Sequence, residues 1–307
     1  MTLTYGRAVA VPFLQGTPEW ERERLRYIGS SSIPIITGNS PYKTSAVQLW
    51  AHMAGVLEPD PIDPETQELF DLGHKLEPIV AWRYTLKTGR PLRKVKRMLV
   101  SRDIPWAACS LDRVSAVRGE RLIVECKWSP YRDFAGEGGD LVPAHVVDQV
   151  QWQMLVTGYP LAHVAVIVGS RFSWFEIPED KAHQSDLLYL GEDFMGYVIR
   201  KERPPVDGSD ATRRVLTRMH TGSAVEWADA DALSDAFAAE LREATKVAKW
   251  ATDRQELVKN QVRALLKDAE ADGVEQPGRY TITWKADKNG SRSLRPRFVD
   301  EEVGSWH

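Results

Sequence analysis

The chain of 307 residues predicts an α/β fold, a mixed central β-sheet flanked by helices. Three observations carry this. Helical and strand-like patterns follow one another in the order helix, strands, helix, strands, helix. Glycine and proline punctuate the boundaries between them. The run Leu122-Ile123-Val124 suits a buried strand, and 43% hydrophobic with 27% charged residues is ordinary for a folded protein.

Each element has a local cause. Thr17 places a capping hydroxyl before Pro18 at the first helical position, so a short helix runs to Tyr27 and stops before Gly29. One of Ser30, Ser31 and Ser32 caps a second helix that ends at Gly38. After the turn Asn39-Ser40-Pro41-Tyr42, Ser45 caps a third through Met53, closed by Gly55, and the first fifty residues therefore read as helical. Pro64 opens a long helix to Thr88, with Leu69, Leu72, Leu76, Ile79 and Val80 on one face expected to be buried.

Strands are expected at 92–100, 106–110, 113–117 and 121–128, the last two joined by the reversal Arg118-Gly119-Glu120. Pro143 starts a helix through Thr157, stopped by Gly158 and Pro160. Strands at 162–168 and 172–177 flank Gly169-Ser170-Arg171, and a helix over about 180–201 follows. Pro204-Pro205-Val206-Asp207-Gly208-Ser209 is the linker signal, dividing a core of residues 1–204 from an extension of residues 205–307. In the extension Leu233, Phe237, Leu241, Ala244, Ala248, Ala251, Val258, Val262 and Leu265 recur mostly at steps near three and four. Residues 229–272 thus form one amphipathic helix of roughly 65 Å or a helix pair, before a terminal hairpin around Asn289-Gly290.

Composition excludes several classes. Cys109 and Cys126 are the only cysteines, too few for a disulfide framework or a four-cysteine metal site, and read as reduced core residues. The longest apolar runs, such as Val164-Ala165-Val166-Ile167-Val168, are far short of a membrane span, and the N-terminus lacks a basic segment leading into an apolar signal core. No membrane partner is expected, and the expected location is the cytoplasm. A net charge of -3 argues against coating nucleic acid by bulk attraction. Yet Lys87, Arg90, Arg93, Lys94, Lys96, Arg97 and Arg102 have no acidic residue among them, as either a solvated face or a phosphate-contacting patch would.

The chemistry concentrates between Asp112 and Lys127. Asp112 stands thirteen residues before Glu125, and Glu125-Cys126-Lys127 directly follows the buried-strand run. A charged pair there costs desolvation unless it has a partner such as a metal ion. Two carboxylates converging on Mg²⁺ supply hard oxygen ligands, and an ammonium beside them can orient or deprotonate an attacking water. Glu125 and Lys127 project from one strand face, and the backbone carbonyl of Cys126 offers a further oxygen. Asp112 could equally be a turn aspartate, and Glu125 an exposed partner of Lys127. Gly136-Glu137-Gly138-Gly139-Asp140 lacks the Lys-Ser/Thr of a nucleotide-binding loop. His145 and His163 show no ligand spacing and read as structural, while Trp128 and Trp152 flank the proposed site, to pack beneath it or stack on a base.

With these residues in place, the chain resembles the YqaJ-type viral recombinase family, which includes phage exonucleases of the lambda type. The resemblance spans about residues 17–200. It rests on Ile28-Gly29-Ser30-Ser31-Ser32-Ile33 through Gly38-Asn39-Ser40-Pro41-Tyr42-Lys43-Thr44, on Gly73 through Leu76-Glu77-Pro78, and on Gln149-Val150-Gln151-Trp152-Gln153-Met154. It implies a restriction-endonuclease-like core of the PD-(D/E)xK type and Mg²⁺-dependent exonuclease action on double-stranded DNA ends, 5′ to 3′, with Mn²⁺ as a possible substitute. By position, Asp112 and Glu125 would bind metal, Lys127 would position or activate water, Glu77 would complete the acidic cluster or a second metal site, and Gln149 would orient the water or Lys127. Arg24 and Ser31 would hold a phosphate near the 5′ end.

Read without the family, Glu77 is the polar edge of a helix, Arg24 a surface residue paired with Glu21 or Glu23, and Gln149 a core amide. The family's Ser-Pro-Asp-Gly pattern at the catalytic aspartate is here Cys109-Ser110-Leu111-Asp112-Arg113, without proline or glycine. The resemblance further implies a homo-oligomer such as a ring around DNA, a single-strand annealing partner, and a phage or prophage source acting in the bacterial cytoplasm. The rivals are an endonuclease built on the same core and a non-catalytic scaffold binding DNA ends or protein.

Overall fold

The computed structural model describes residues 4–59, 61–117, 119–129, 134, 142–221, 235–266, 271–272, 280–286 and 292–298. Two strands that the helical reading of the N-terminus did not anticipate come first, β1 (Thr4–Tyr5) and β2 (Ala8–Ala10). Gly6, at φ +59°, turns between them where the carbonyl oxygen of Thr157 would lie 2.0 Å from any Cβ. The helices α1 (Pro18–Arg24), α2 (Ile33–Ile36) and α3 (Ala46–Met53) follow. Thr17 and Ser45 cap α1 and α3, accepting from the N–H groups of Trp20 and Gln48.

Helix α4 (Pro64–Thr88) is capped by Asp63, which accepts from the N–H of Thr66, and ends on left-handed Gly89. Its buried residues are Val80, Ala81 and Tyr84, whereas Leu69, Leu72 and Ile79 are exposed. The expected apolar stripe is thus covered only in the last turns, where the helix packs on Leu122, Val124 and Cys126. Among the described residues no helix is long and apolar enough to cross a membrane.

Next come β3 (Arg93–Lys94), β4 (Leu99–Ser101), β5 (Ala108–Cys109), β6 (Arg113–Val117), β7 (Glu120–Ser129), α5 (Ala144–Thr157), β8 (Leu161–Val168), β9 (Arg171–Pro178), α6 (Lys181–Arg200) and α7 (Asp210–Met219). The strand expected at 92–100 divides between two sheets. Its start, β3, joins the five-stranded order β3-β6-β7-β8-β9, while β4 belongs to the order β1-β2-β4-β5. The five-stranded sheet is mixed, because α5 is the crossover joining parallel β7 and β8 and every other pair is antiparallel.

Side-chain parity along β7 positions the site. Leu122, Val124 and Cys126 face α4, and Ile123 faces the cluster containing Val146, Val150 and Met154 of α5. Each fully buried apolar side chain of this kind contributes about 1.5–3 kcal/mol. Glu125 and Lys127 share the parity of Ile123 and therefore stand on the α5 side.

Trp152 of α5 is fully buried, and its Nε1 donates to the carbonyls of Ile28 (3.2 Å) and Ala108 (3.0 Å). It packs beneath the site. Trp152→Phe keeps the ring and removes the donor for two buried carbonyls, so urea denaturation should show a loss of about 1–3 kcal/mol.

The first compact unit is Met1–Gly222 and the second Ser223–His307. The core therefore runs past the expected boundary at 204, because α7 follows the proline-rich turn and buries Ala211, Thr212 and Val215. In the second unit α8 (Asp235–Leu266) is a single helix over its 32 residues. The strands β10 (Ala271–Asp272), β11 (Tyr280–Ala286) and β12 (Arg292–Phe298) form an antiparallel sheet in that order, with β11 and β12 pairing from Tyr280↔Phe298 to Ala286↔Arg292. The Asn289-Gly290 turn, Leu233, Arg118 and the segment Gly136–Asp140 lie outside the described residues.

Candidate active site

Strand β6 begins with Arg113 opposite Val124, so beyond Val124 that edge of β7 has no strand neighbour among the described residues. Asp112 stands there instead, and its Oδ2 accepts the backbone N–H of Cys126 at 2.8 Å. In extended chain the N–H and C=O of one residue leave on the same edge, so the Cys126 carbonyl is directed toward Asp112 as well. Glu125, only 3% exposed, receives Nε2 of Gln149 at 2.7 Å on Oε1, which also lies 2.8 Å from Nζ of Lys127. Lys127 in turn donates to Oε1 of Gln149 at 2.8 Å.

The other oxygen of Glu125 is held by a residue that sequence reasoning did not assign. Gln153, fully buried, donates through Nε2 to Oε2 of Glu125 at 2.9 Å and to the Ser110 carbonyl at 3.1 Å. Its signal was available: Gln149 and Gln153 are one helical turn apart and share a face. A second unassigned residue, Asp148, is buried and accepts from Thr37 Oγ1 (2.7 Å) and Asn39 Nδ2 (2.8 Å), while its Oδ1 meets His183 Nε2 at 2.8 Å. That carboxylate ties the segment after α2, and α6, to the helix carrying Gln149.

The electrostatics follow from this crowding. Burial pushes the Asp112 carboxyl well above the usual carboxylate range, and the charges of Glu125 and Glu77 add to it, against the pull of Lys127 and the Cys126 N–H. For Lys127 burial disfavours the charge, yet Glu125 and Asp112 outweigh it and hold the ammonium above its ordinary value of 10.5. Lys127 is therefore a cation at neutral pH. Burial raises the thiol of Cys126 well above its ordinary value, with Asp112 adding to it, so a thiolate role for this residue is disfavoured.

The donor set fits Mg²⁺. Two carboxylates and a backbone carbonyl are hard oxygens, and a divalent cation would relieve the repulsion that raises Asp112. No group of three or more His, Cys, Asp and Glu side chains is arranged to hold a metal among the described residues; the oxygens that could hold an ion here are those of Asp112, Glu125 and the Cys126 carbonyl.

Glu77 reaches the site from the opposite layer. Its Oε1 is bound by Nη1 of Arg113 and lies 3.3 Å from Nζ of Lys94. Arg113, with a side chain 8% exposed, also donates to the Asp112 carbonyl at 2.7 Å. The structure thus brings Asp112, Glu125, Lys127 and Gln149 together, and turns Glu77 to two cations.

A cleft of about 450 Å³ opens from this group. Asp112 and Gln149 line it together with Arg24 and Ser31. Arg24 lies over the Trp20 ring at 4.9 Å and pairs with Glu21 at 3.4 Å, an exposed ion pair of little strength. The basic run is dispersed: Arg90 pairs with Glu120 at 2.6 Å, Lys94 with Glu77, Arg97 donates to the Val11 carbonyl, and Arg93 covers Tyr5. His163 is structural, its Nδ1 2.7 Å from the Tyr84 hydroxyl.

The model of the YqaJ-like viral recombinase domain matches residues 19–160. An uncharacterized protein, YqaJ of Bacillus subtilis (strain 168), is 27% identical over 293 residues, covering 92% of this chain and 88% of that protein. Among solved structures, LHK-Exo in complex with dAMP is similar at a TM-score of 0.49 and 16% identity, over 67% of this chain and 98% of that one. LHK-Exo is an alkaline exonuclease from Laribacter hongkongensis. A phage related exonuclease from Haemophilus somnus 129PT is similar at a TM-score of 0.43 and 12% identity, over 57% of this chain and 94% of that one.

Proposed function

We propose, from the match of residues 19–160 to the YqaJ-like viral recombinase domain, that this chain is a Mg²⁺-dependent exonuclease that resects linear double-stranded DNA, 5′ to 3′, to leave single-stranded tails for recombination. The observation that carries the reading is the bonded group at the end of β7, Asp112 on the Cys126 N–H and Glu125 between Lys127, Gln149 and Gln153, opening on a cleft.

Asp112, Glu125 and the Cys126 carbonyl would hold Mg²⁺, which when bound polarises a phosphoryl oxygen and lowers the pKa of water. Lys127, within hydrogen-bond reach of both Glu125 and Gln149, would position or activate the attacking water. Gln149 and Gln153 fix the carboxylate of Glu125, one on each oxygen, and so hold its orientation. Arg24 and Ser31 bind the terminal phosphate at the far side of the same cleft.

The test is digestion of linear duplex DNA labelled at either end, with and without Mg²⁺, beside a circular duplex. Loss of the 5′ label first, dependence on Mg²⁺ and sparing of the circle are expected, with Mn²⁺ able to replace Mg²⁺. Cutting of the circle at an equal rate means an endonuclease, and retention of DNA without product means a scaffold. Arg24→Ala should slow digestion of 5′-phosphorylated ends by about 10- to 100-fold, the worth of one charged hydrogen bond, and leave 5′-hydroxyl ends unchanged. Paired rate measurements on the two substrates check this.

Association into a homo-oligomer belongs to the same reading. Helix α8 exposes Leu241, Val247, Trp250 and Leu265, and light scattering on the full chain measures the mass.

A further inference from the structure

Among the described residues Arg113 is the one buried guanidinium, and it stands at the junction of the two layers. One nitrogen, Nη1, serves both the Glu77 carboxylate and the Asp112 carbonyl, and Lys94 stands 3.3 Å from the same Glu77 oxygen. Glu77 is close enough to Asp112 for its charge to act on it, so the acidic residues at this junction number three. They are divided, however. Asp112 lines the cleft and holds the Cys126 N–H, with Glu125 near enough for its charge to act on it, whereas the Glu77 carboxylate already has a fixed positive charge on it.

We propose that Arg113 is the cation that serves Glu77, in the place of a second metal ion, so that the site takes a single divalent ion between Asp112 and Glu125. This rests on the nuclease reading above and specifies its metal count. The physics is direct. A second divalent ion at Glu77 would have to displace a buried guanidinium, strand it without its partner, and sit beside that positive charge. Arg113 is accordingly a positioning residue: it acts through Glu77 and through the main chain of Asp112, the two N–H groups of one nitrogen serving both acceptors.

Mn²⁺ titration of the full-length protein by calorimetry, without DNA, tests the proposal. One ion per chain is expected. Glu77→Gln should leave both the count and the affinity within about twofold of the parent, because Glu77 is not a ligand. Arg113→Gly frees Glu77 and should admit a second ion. Two ions on the unmodified protein, a tenfold weakening in Glu77→Gln, or a folded Arg113→Gly that still takes one would each overturn it. If Arg113→Gly does not fold, the Glu77→Gln titration decides alone. The underlying nuclease reading fails differently: no Mn²⁺ bound at all, or binding untouched by Asp112→Asn.

Discussion

Asp112→Asn is expected to cut the rate of Mg²⁺-dependent DNA digestion by on the order of 10³-fold while making the metal-free protein more stable. The two effects have one cause. Burial and the charges of Glu125 and Glu77 raise the folded carboxyl of Asp112 above its ordinary value, so the charged form is paid for by the fold. The sign follows from linkage. A carboxyl raised on folding carries no penalty below its unfolded value near 3.8, and the penalty grows as pH climbs from there through the folded value. Above that unfolded value Asp112 is a net cost to the metal-free fold. Asparagine is neutral, keeps an oxygen for the Cys126 N–H, and so removes the cost without losing the bond. A rise in Tm should appear by calorimetry in a metal chelator. Added Mg²⁺ should raise the Tm of the parent and not of the variant. A variant that is less stable and still active would show that Asp112 is a turn residue.

What sequence could reveal was whatever has a local cause. Helix α5 is bounded by Pro143 and Gly158, and the strand parity that puts Glu125 and Lys127 on one face needs only the pleat. The order of helices and strands predicts the mixed sheet. What stayed hidden depends on distant partners. Strand β2 is three small residues that gain an identity only by pairing Val9 with Val100. The Leu69, Leu72 and Ile79 stripe has helical period, but periodicity does not say whether anything covers it. Arg113 looked like a departure from a family pattern, and nothing local tells that its partner, Glu77, sits on the opposite layer. Helix α7 was missed because the prolines before it read as a boundary, when they only turn the chain back onto α3.

Lys127→Met separates two roles that the geometry gives to one ammonium. As the donor beside the reacting phosphate, its loss should lower the digestion rate by about 10²–10⁴-fold. As the counter-charge of Glu125 at 2.8 Å, its loss leaves a nearly buried carboxylate with Gln149 and Gln153 as its side-chain donors among the described residues. Lys127 is 27% exposed, so solvent softens the penalty below that of a fully enclosed pair, to about 2 kcal/mol in the metal-free protein. Mg²⁺ should then recover that stability, because the ion meets a Glu125 no longer neutralised by an ammonium, and the Tm gain on adding Mg²⁺ should exceed that of the parent. Denaturation curves with and without Mg²⁺, beside single-turnover digestion, measure both. If digestion stays within tenfold of the parent while the metal-free protein weakens, Lys127 is a counter-ion to Glu125 and takes no part at the phosphate.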